Sequence, residues 1–235
     1  MNKYQAQGNR PDFDAVTLSK LNPLRRNLLI FHYLCSLTTK NRIMKATVVL
    51  VADDEAENFG RKLMLEAHRL GNVGFEMARL PQHVSLKQPF SIPSLESMEA
   101  FFDKFAESLT PMEVEFIDMD LFPSNVLGGI ESGCLTLRAK TTKRLTDAQK
   151  RLNEDLFKTF GACLAEHDYD YIFHMTFAIG GADFQAYQRA YEKLKDHDYR
   201  RTFRFSRLGL FYYDDDNIAP GTYFCYKICS IGGSE

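Results

Sequence analysis

The sequence predicts an α+β fold in which antiparallel strands form sheets with helices packed on their outer side. Helical and strand-like patterns alternate along the chain, strand pairs joined by turns follow, and the same order of elements occurs twice. Alternation with short loops also fits a parallel α/β sheet, but strands paired through a turn favour antiparallel pairing. A chain of 235 residues, of which 45% are hydrophobic, can bury a substantial core.

The first half of the repeated order starts after a buried, β-branched strand, KATVVLVAD at residues 45–53. The helix at residues 54–71 comes next, since its apolar residues share one face and a glycine ends it. A short strand within LPQHVSLKQPF, residues 80–90, precedes a second helix at residues 91–109. Two strands then follow, MEVEFIDMDLF and GCLTLRAK, separated by a turn-rich segment.

The second half repeats this order. A helix is predicted from a Thr146 cap through residues 146–164, and a strand follows within YDYIFHMTFAIG. The next helix places Phe184, Tyr187, Tyr191 and Leu194 on one face. Two strands, RTFRFSRLGLFYY and GTYFCYKICSI, complete the chain. The halves share little sequence identity, so the repeat is inferred from the order of elements alone.

Residues 1–43 are predicted to be an N-terminal extension to a bilobal domain at residues 44–235. Asn22 and Pro23 read as an N-cap and first helical residue, and the apolar residues after them share one face of an amphipathic helix. The extension is either an accessory helix or a sign that the true start lies further downstream. Its apolar stretch is too short to span a bilayer, so no membrane association is expected.

Charge and cysteine content exclude some classes of function. The 29 basic and 31 acidic residues give a net charge of −2, which argues against coating long nucleic acids and leaves no extended basic track. Five cysteines, an odd number, favour reduced thiols in a cytoplasmic protein. No second Cys/His pair stands at zinc-finger spacing and the carboxylates do not cluster, so no metal or other cofactor is expected.

Two short motifs carry the candidate chemistry. His83 and Ser85 stand two residues apart in one apolar strand, and His174 and Thr176 do so in another. Two such matches among six histidines would arise by chance roughly one time in eight, so their context must carry the argument. In a strand, residues i and i+2 share a face, so each strand presents one imidazole and one hydroxyl together. A structural histidine is the simpler reading for either motif alone; the matched pair indicates a shared cleft.

Such a set suits phosphodiester chemistry. Imidazoles titrate near neutrality, so one can accept a proton from a nucleophile while the other gives one to the departing oxygen. Hydroxyls can donate hydrogen bonds to phosphate oxygens. Each well-placed acid or base supplies about 10²–10⁴-fold in rate, which suits a strained or internally activated diester better than an unstrained monoester.

The segments PQHVSL and FHMTFA resemble the two His-x-Ser/Thr signatures of the 2H phosphoesterase superfamily, which includes 2′-5′ RNA ligase-like proteins and cyclic phosphodiesterases. The similarity covers about residues 46–231. It implies a two-lobed, pseudo-symmetric α+β fold with antiparallel sheets and outer helices around a central cleft. It also implies that His83 and His174 are acid and base, and that Ser85 and Thr176 bind phosphate.

Several other residues are weaker candidates. If its strand continues, Lys87 shares the face of His83 and can add positive charge near a phosphate; a solvated lysine at the strand end fits equally well. Phe90 and Tyr212 are candidates for stacking on a base. Arg138 lies on a predicted strand and is assigned to the rim. The HDYD segment, residues 167–170, resembles a metal-ligand cluster but is interpreted as a solvated turn.

The sequence therefore predicts a metal-independent phosphodiesterase that acts as a monomer on 2′,3′-cyclic phosphates or related nucleotide and RNA-end diesters. Two alternatives remain open. One is a binding module of the same fold that recognises nucleotides or RNA ends without turnover, and the other is a 2′-5′ RNA ligase.

Overall fold

The computed structural model describes residues 44–125, 131–165, 167–213 and 222–232, which all belong to one compact unit, Ile43–Glu235. The predicted N-terminal helix and residues 1–43 lie outside the described residues, so their assignment as an extension stays a prediction. None of the helices within the described ranges has the length and apolar character that a membrane crossing requires.

A nine-stranded antiparallel sheet forms the centre of the unit. Its strands are β1 (Lys45–Val51), β2 (His83–Ser85), β3 (Phe90–Ser91), β4 (Met112–Ser124), β5 (Ser132–Ala139), β6 (His174–Ile179), β7 (Arg201–Phe205), β8 (Arg207–Tyr213) and β9 (Tyr223–Ser230). Across the sheet the order is β7-β4-β5-β6-β2-β1-β8-β9, with β3 paired to β1. Every pair is antiparallel, as the turn-linked strand pairs predict. The α+β fold class is confirmed.

Four α-helices accompany the sheet in the described part of the chain. They are α1 (Asp54–Gly71), α2 (Leu95–Glu107), α3 (Lys143–Phe160) and α4 (Phe184–Leu194), and a short 3₁₀-helix occupies Glu76–Arg79. The cap predicted at Thr146 is wrong by one turn. Thr142 caps α3 by accepting a hydrogen bond from the Leu145 amide, because its extended backbone and short hydroxyl suit the N-cap position.

The segment RTFRFSRLGLFYY forms two strands rather than the single predicted strand. Both β7 and β8 lie within it, and Ser206 separates them. β7 pairs with β4, whereas β8 pairs with β1 and β9, so the chain changes partners at this point. An apolar pattern alone does not show where a continuous run of strand residues changes neighbours.

The two halves of the sequence are interleaved in the sheet. The strands β4 and β5 close the first half of the chain, yet β5 pairs with β6, the motif strand of the second half. Similarly, β8 and β9 close the second half, while β8 pairs with β1, the neighbour of the first motif strand, β2. The sheet thus consists of two half-sheets, β7-β4-β5-β6 and β2-β1-β8-β9, which join where β6 pairs with β2. Each half-sheet contains one motif strand and the two strands that close the other half of the chain.

The two faces of the sheet differ in composition. The main core lies on the face with the helices and includes the fully buried Val84, Leu137, Met175 and Phe177. Because neighbouring side chains in a strand point to opposite faces, the residues that flank Val84 and Met175 point away from this core. The sheet thus places both His-x-Ser/Thr motifs on the face opposite the main core.

Candidate active site

The two motifs meet where the half-sheets join. β2 and β6 are adjacent antiparallel strands, and Val84 is the register partner of Met175. This register places His83 opposite Thr176 and Ser85 opposite His174, with the two histidines as diagonal neighbours. The Cα atoms of diagonal neighbours on an antiparallel pair are separated by about 7–8 Å. This spacing allows one phosphate to fit between the two rings. The structure therefore brings together all four residues that the motifs predicted.

On the β6 side of the motifs, the same face of the sheet carries polar residues. Thr176 lies opposite Thr136 of β5, and Thr136 lies opposite Asp120 of β4. In the neighbouring row, His174 lies opposite Arg138. The guanidinium of Arg138 forms a two-pronged ion pair with Asp120, in which Nε donates to Oδ2 at 2.7 Å and Nη2 donates to Oδ1. His174 therefore lies beside charged groups.

On the side of β2 the same face is apolar. Val51 lies opposite His83, and Val49 lies opposite Ser85. The ring of Phe211 contacts the His83 ring edge-on, with 4.6 Å between centroids. The two valines and Phe211 form a small second core with residues of the segment before β2, including Met77. His83 is only 8% exposed as a result, whereas His174 is half-buried.

Both imidazoles are held in the same way. The Nδ1 atom of His83 lies 2.8 Å from the carbonyl oxygen of Pro81, and Nδ1 of His174 lies 2.7 Å from that of Ile172. A carbonyl oxygen can only accept, so Nδ1 carries the proton in each ring. In the neutral rings Nε2 is then unprotonated, so each motif presents one nitrogen that can take up and release a proton.

The surroundings favour the neutral form of both rings, but to different extents. Burial lowers the pKa of His83 to about 4; the hydrogen bond to Pro81 opposes this change, and the charge of His174 adds to it. Burial also lowers the pKa of His174, while the bond to Ile172 and the negative charge of Asp120 oppose the change. The strand register that makes the two histidines diagonal neighbours accounts for the effect of the His174 charge on His83. His174 is the ring with a carboxylate to support its charged form.

The two motif hydroxyls are each in contact with a neighbouring side chain. The Ser85 hydroxyl lies near the phenol of Tyr171, which accepts a hydrogen bond from Gln88 at 3.4 Å. Thr176 Oγ1 lies 3.6 Å from the sulfur of Cys134. Ser85 and Thr176 are both half-buried, so their hydroxyls stay accessible from the open side of the sheet.

Three weaker candidates lie elsewhere, and their predicted roles are wrong. β2 ends at Ser85, so the alternation does not reach Lys87, which is 1% exposed and bound by Asn153 and Asp168. Phe90 is 1% exposed within the main core and cannot stack on a base. Tyr212 alternates with Phe211, which contacts His83, so it points to the other face, where its ring packs against Phe224.

The HDYD segment also differs from its prediction. His167 and Asp170 are exposed, and 3.3 Å separates Nδ1 of His167 from Oδ1 of Asp170, as in a solvated turn. Asp168, however, is 10% exposed and pairs with Lys87. Within the residues that the structure describes, no group of three or more His, Cys, Asp or Glu side chains is arranged to hold a metal ion.

Some neighbours of the site were not found in the sequence. Tyr171 lies in the irregular segment before β6, so no helix or strand pattern indicated its place near Ser85. Asp120 could not be found without knowing that β5 pairs with β6 and that β4 pairs with β5. The alternation of Thr136 with Arg138 on one strand was the one signal that could have predicted a polar row.

A family model matches this chain over residues 53–217, which includes both motifs and the strands that flank them; its description is the 2′-5′ RNA ligase superfamily. The chain belongs to the 2′-5′ RNA ligase superfamily. The resemblance to 2H phosphoesterases that the two motifs indicated is thereby confirmed. A search of curated proteins finds no match to this chain.

Solved structures of low sequence identity share the fold. TT0787 of Thermus thermophilus matches with a TM-score of 0.56 and 11% identity, over 81% of this chain and 100% of that one. E. coli LigT complexed with 3′-AMP matches with a TM-score of 0.52 and 10% identity, over 81% and 99% of the two chains. At these identities the matches show the fold alone, and they agree with the predicted two-lobed architecture.

Proposed function

We propose that this protein is a metal-independent phosphodiesterase that acts on 2′,3′-cyclic phosphates or related nucleotide and RNA-end diesters. One observation carries the proposal: two imidazoles with fixed Nδ1 protons and two hydroxyls share one face of adjacent strands. This arrangement provides a proton acceptor and a proton donor on two sides of one phosphate.

In the proposed reaction, His83 is the base and His174 is the acid. The apolar surroundings of His83 keep its ring neutral, so Nε2 accepts a proton from the attacking water. Asp120 supports the charged form of His174, which gives its Nε2 proton to the departing ribose oxygen. The water oxygen bonds to phosphorus, the bond to one ribose oxygen breaks, and the ring opens to a phosphate monoester. The two histidines then exchange protons with solvent to return to their starting states.

The hydroxyls of Ser85 and Thr176 are assigned to the non-bridging phosphate oxygens. Each lies opposite a histidine on the neighbouring strand, so together they can bind the phosphate between the two rings. The half-buried Tyr171 places its phenol near the Ser85 hydroxyl. Binding by hydroxyls and by one imidazolium suits a singly charged diester.

The comparisons support nucleotide substrates. The superfamily is named for ligation of 2′-5′ RNA, and the LigT structure of the same fold holds 3′-AMP. A nucleotide with a 3′-phosphate is one of the two products that opening of a 2′,3′-cyclic phosphate can give. A chain with a net charge of −2 suits small nucleotides or RNA ends better than long RNA. We also propose that the protein acts as a monomer in the cytoplasm.

The decisive experiment assays the purified protein in EDTA against 2′,3′-cyclic nucleotides and 2′-5′-linked dinucleotides. We expect turnover by the wild type and a loss of about 10²–10⁴-fold in both His83→Ala and His174→Ala. His197→Ala is the matched control, because this histidine is exposed and far in sequence from either motif, and it should retain full activity.

The same assay separates the alternatives. Tight binding of nucleotides by the wild type without turnover would favour the binding module. Formation of longer 2′-5′-linked products from RNA ends would favour the ligase. Turnover that survives in either motif variant would refute the paired role of the histidines.

A further inference from the structure

The joint between the half-sheets, where β2 pairs with β6, has few backbone contacts. In the described residues, β2 and β6 are the strands that connect the two half-sheets, and Val84 with Met175 is their one register pair. β2 itself has three residues. The positions of His83 and His174 relative to each other therefore depend on more than this short ladder.

A buried ion pair crosses the same joint. Lys87 follows β2, and its Nζ donates to Oδ2 of Asp168 at 2.6 Å and to Oδ1 of Asn153 at 2.5 Å. Asp168 lies in the segment between α3 and β6, and its Oδ2 also accepts from the amide of Ala165 at 3.0 Å. The side chains of Lys87 and Asp168 are 1% and 10% exposed. This ion pair thus ties the chain just after the first motif to the chain just before the second.

The tied segment holds His174 directly. Three residues beyond Asp168, the phenol of Tyr171 accepts a hydrogen bond from Gln88, the residue that follows Lys87. One residue further, the carbonyl of Ile172 accepts the Nδ1–H of His174 at 2.7 Å. Any shift of this segment would change the direction of Nε2 of His174.

We propose that Lys87 and Asp168 are positioning residues, whose buried ion pair fixes the loop carrying Tyr171 and Ile172 and thereby aligns His174 with His83. The proposal rests on the function proposed above. Stability alone does not explain the pair, because removing two charges from water is costly and a buried ion pair can often be replaced by apolar residues without loss of stability. A small displacement of a reacting group, by contrast, can cost about 10²-fold in rate.

The test replaces both charges at once with Lys87→Met and Asp168→Leu, since either change alone would leave an unpaired buried charge. We expect the double variant to fold, to lose about 10- to 100-fold in kcat, and to keep KM within about threefold. Asp168→Glu is the second variant, because it retains the negative charge but places the carboxylate one methylene further from the backbone. Its kcat should fall by a smaller factor than that of the double variant.

A second measurement does not depend on turnover. NMR of ring N–H protons follows the Nδ1–H groups of both histidines, and we expect the His174 signal to exchange faster in the double variant while the His83 signal is unchanged. Lys227→Met is the matched control. Lys227 also binds two acceptors, Glu99 and Asp103, but it joins α2 to β9 away from the joint.

The outcomes separate the two proposals. A wild type without turnover refutes the phosphodiesterase, and the ring-proton signals then decide on the positioning role alone. A folded double variant with wild-type kcat and a protected His174 signal would overturn the positioning role. If the double variant does not fold, wild-type kcat and an unchanged His174 signal in Asp168→Glu would overturn it. Equal losses of kcat in Lys227→Met would reduce the effect to general destabilisation and would also reject it.

Discussion

Acidification should destabilise this protein through His83. The ring is 8% exposed, and burial holds its pKa at about 4 in the folded chain, against 6.5 when the chain is unfolded. Between these values the unfolded state binds the proton more tightly, so stability falls as the pH drops through this window and is fully present above pH 6.5. The expected loss from this one group is about 2 kcal/mol at pH 5, and it approaches about 3 kcal/mol below pH 4.

The measurement compares urea unfolding of the wild type and His83→Asn at pH 7 and pH 5. Asparagine can keep a donor toward the carbonyl of Pro81 but does not titrate, so its packing loss is the same at both pH values. Ionisable groups that do not interact with His83 contribute equally to both proteins and cancel in the difference. The wild type should lose about 2 kcal/mol more than the variant between pH 7 and pH 5. Equal losses in the two proteins would mean that His83 is hydrated, and the assignment of His83 as the neutral base would fail with it.

Two further predictions concern activity. The profile of kcat/KM against pH should be bell-shaped and displaced to acid: activity rises through about pH 4, as His83 loses its proton, and falls at a pH below 6.5, as His174 loses its proton. Steady-state rates with a cyclic nucleotide test this, and a flat profile between about pH 5 and 8 would contradict the paired role. Asp120→Asn should move the falling limb to lower pH, because it removes the negative charge that supports the charged form of His174. Glu115→Gln, which changes an exposed carboxylate of the same strand bound to Lys140, should leave that limb in place.

Much of the fold could be predicted because local patterns determine it. The helix predicted at residues 54–71 agrees with α1, and the four residues predicted to share a helical face at 184–194 lie in α4. The face shared by His83 and Ser85 follows from the two-residue period of a strand alone. These predictions required no knowledge of which strands pair.

Several of the failed predictions depended on strand ends or on long-range partners. The role predicted for Lys87 requires a strand that continues past Ser85. The role predicted for Tyr212 requires knowing whether its side chain lies on the same face of the sheet as the two histidines. Asp168 and Lys87 are 81 residues apart in the chain, and nothing in either local pattern shows that they pair. Long-range pairing decides such cases, and a single sequence does not display it.

The interleaving of the half-sheets has a consequence for whether either half of the chain can fold alone. If the gene were divided between Ala139 and Lys143, the hairpin of β4 and β5 would be separated from both of its partners, β6 and β7. Neither product could complete its own half-sheet, and each would offer open strand edges to the other. The hairpin of β4 and β5 therefore acts as a clasp that makes folding of either half-sheet depend on both halves of the chain.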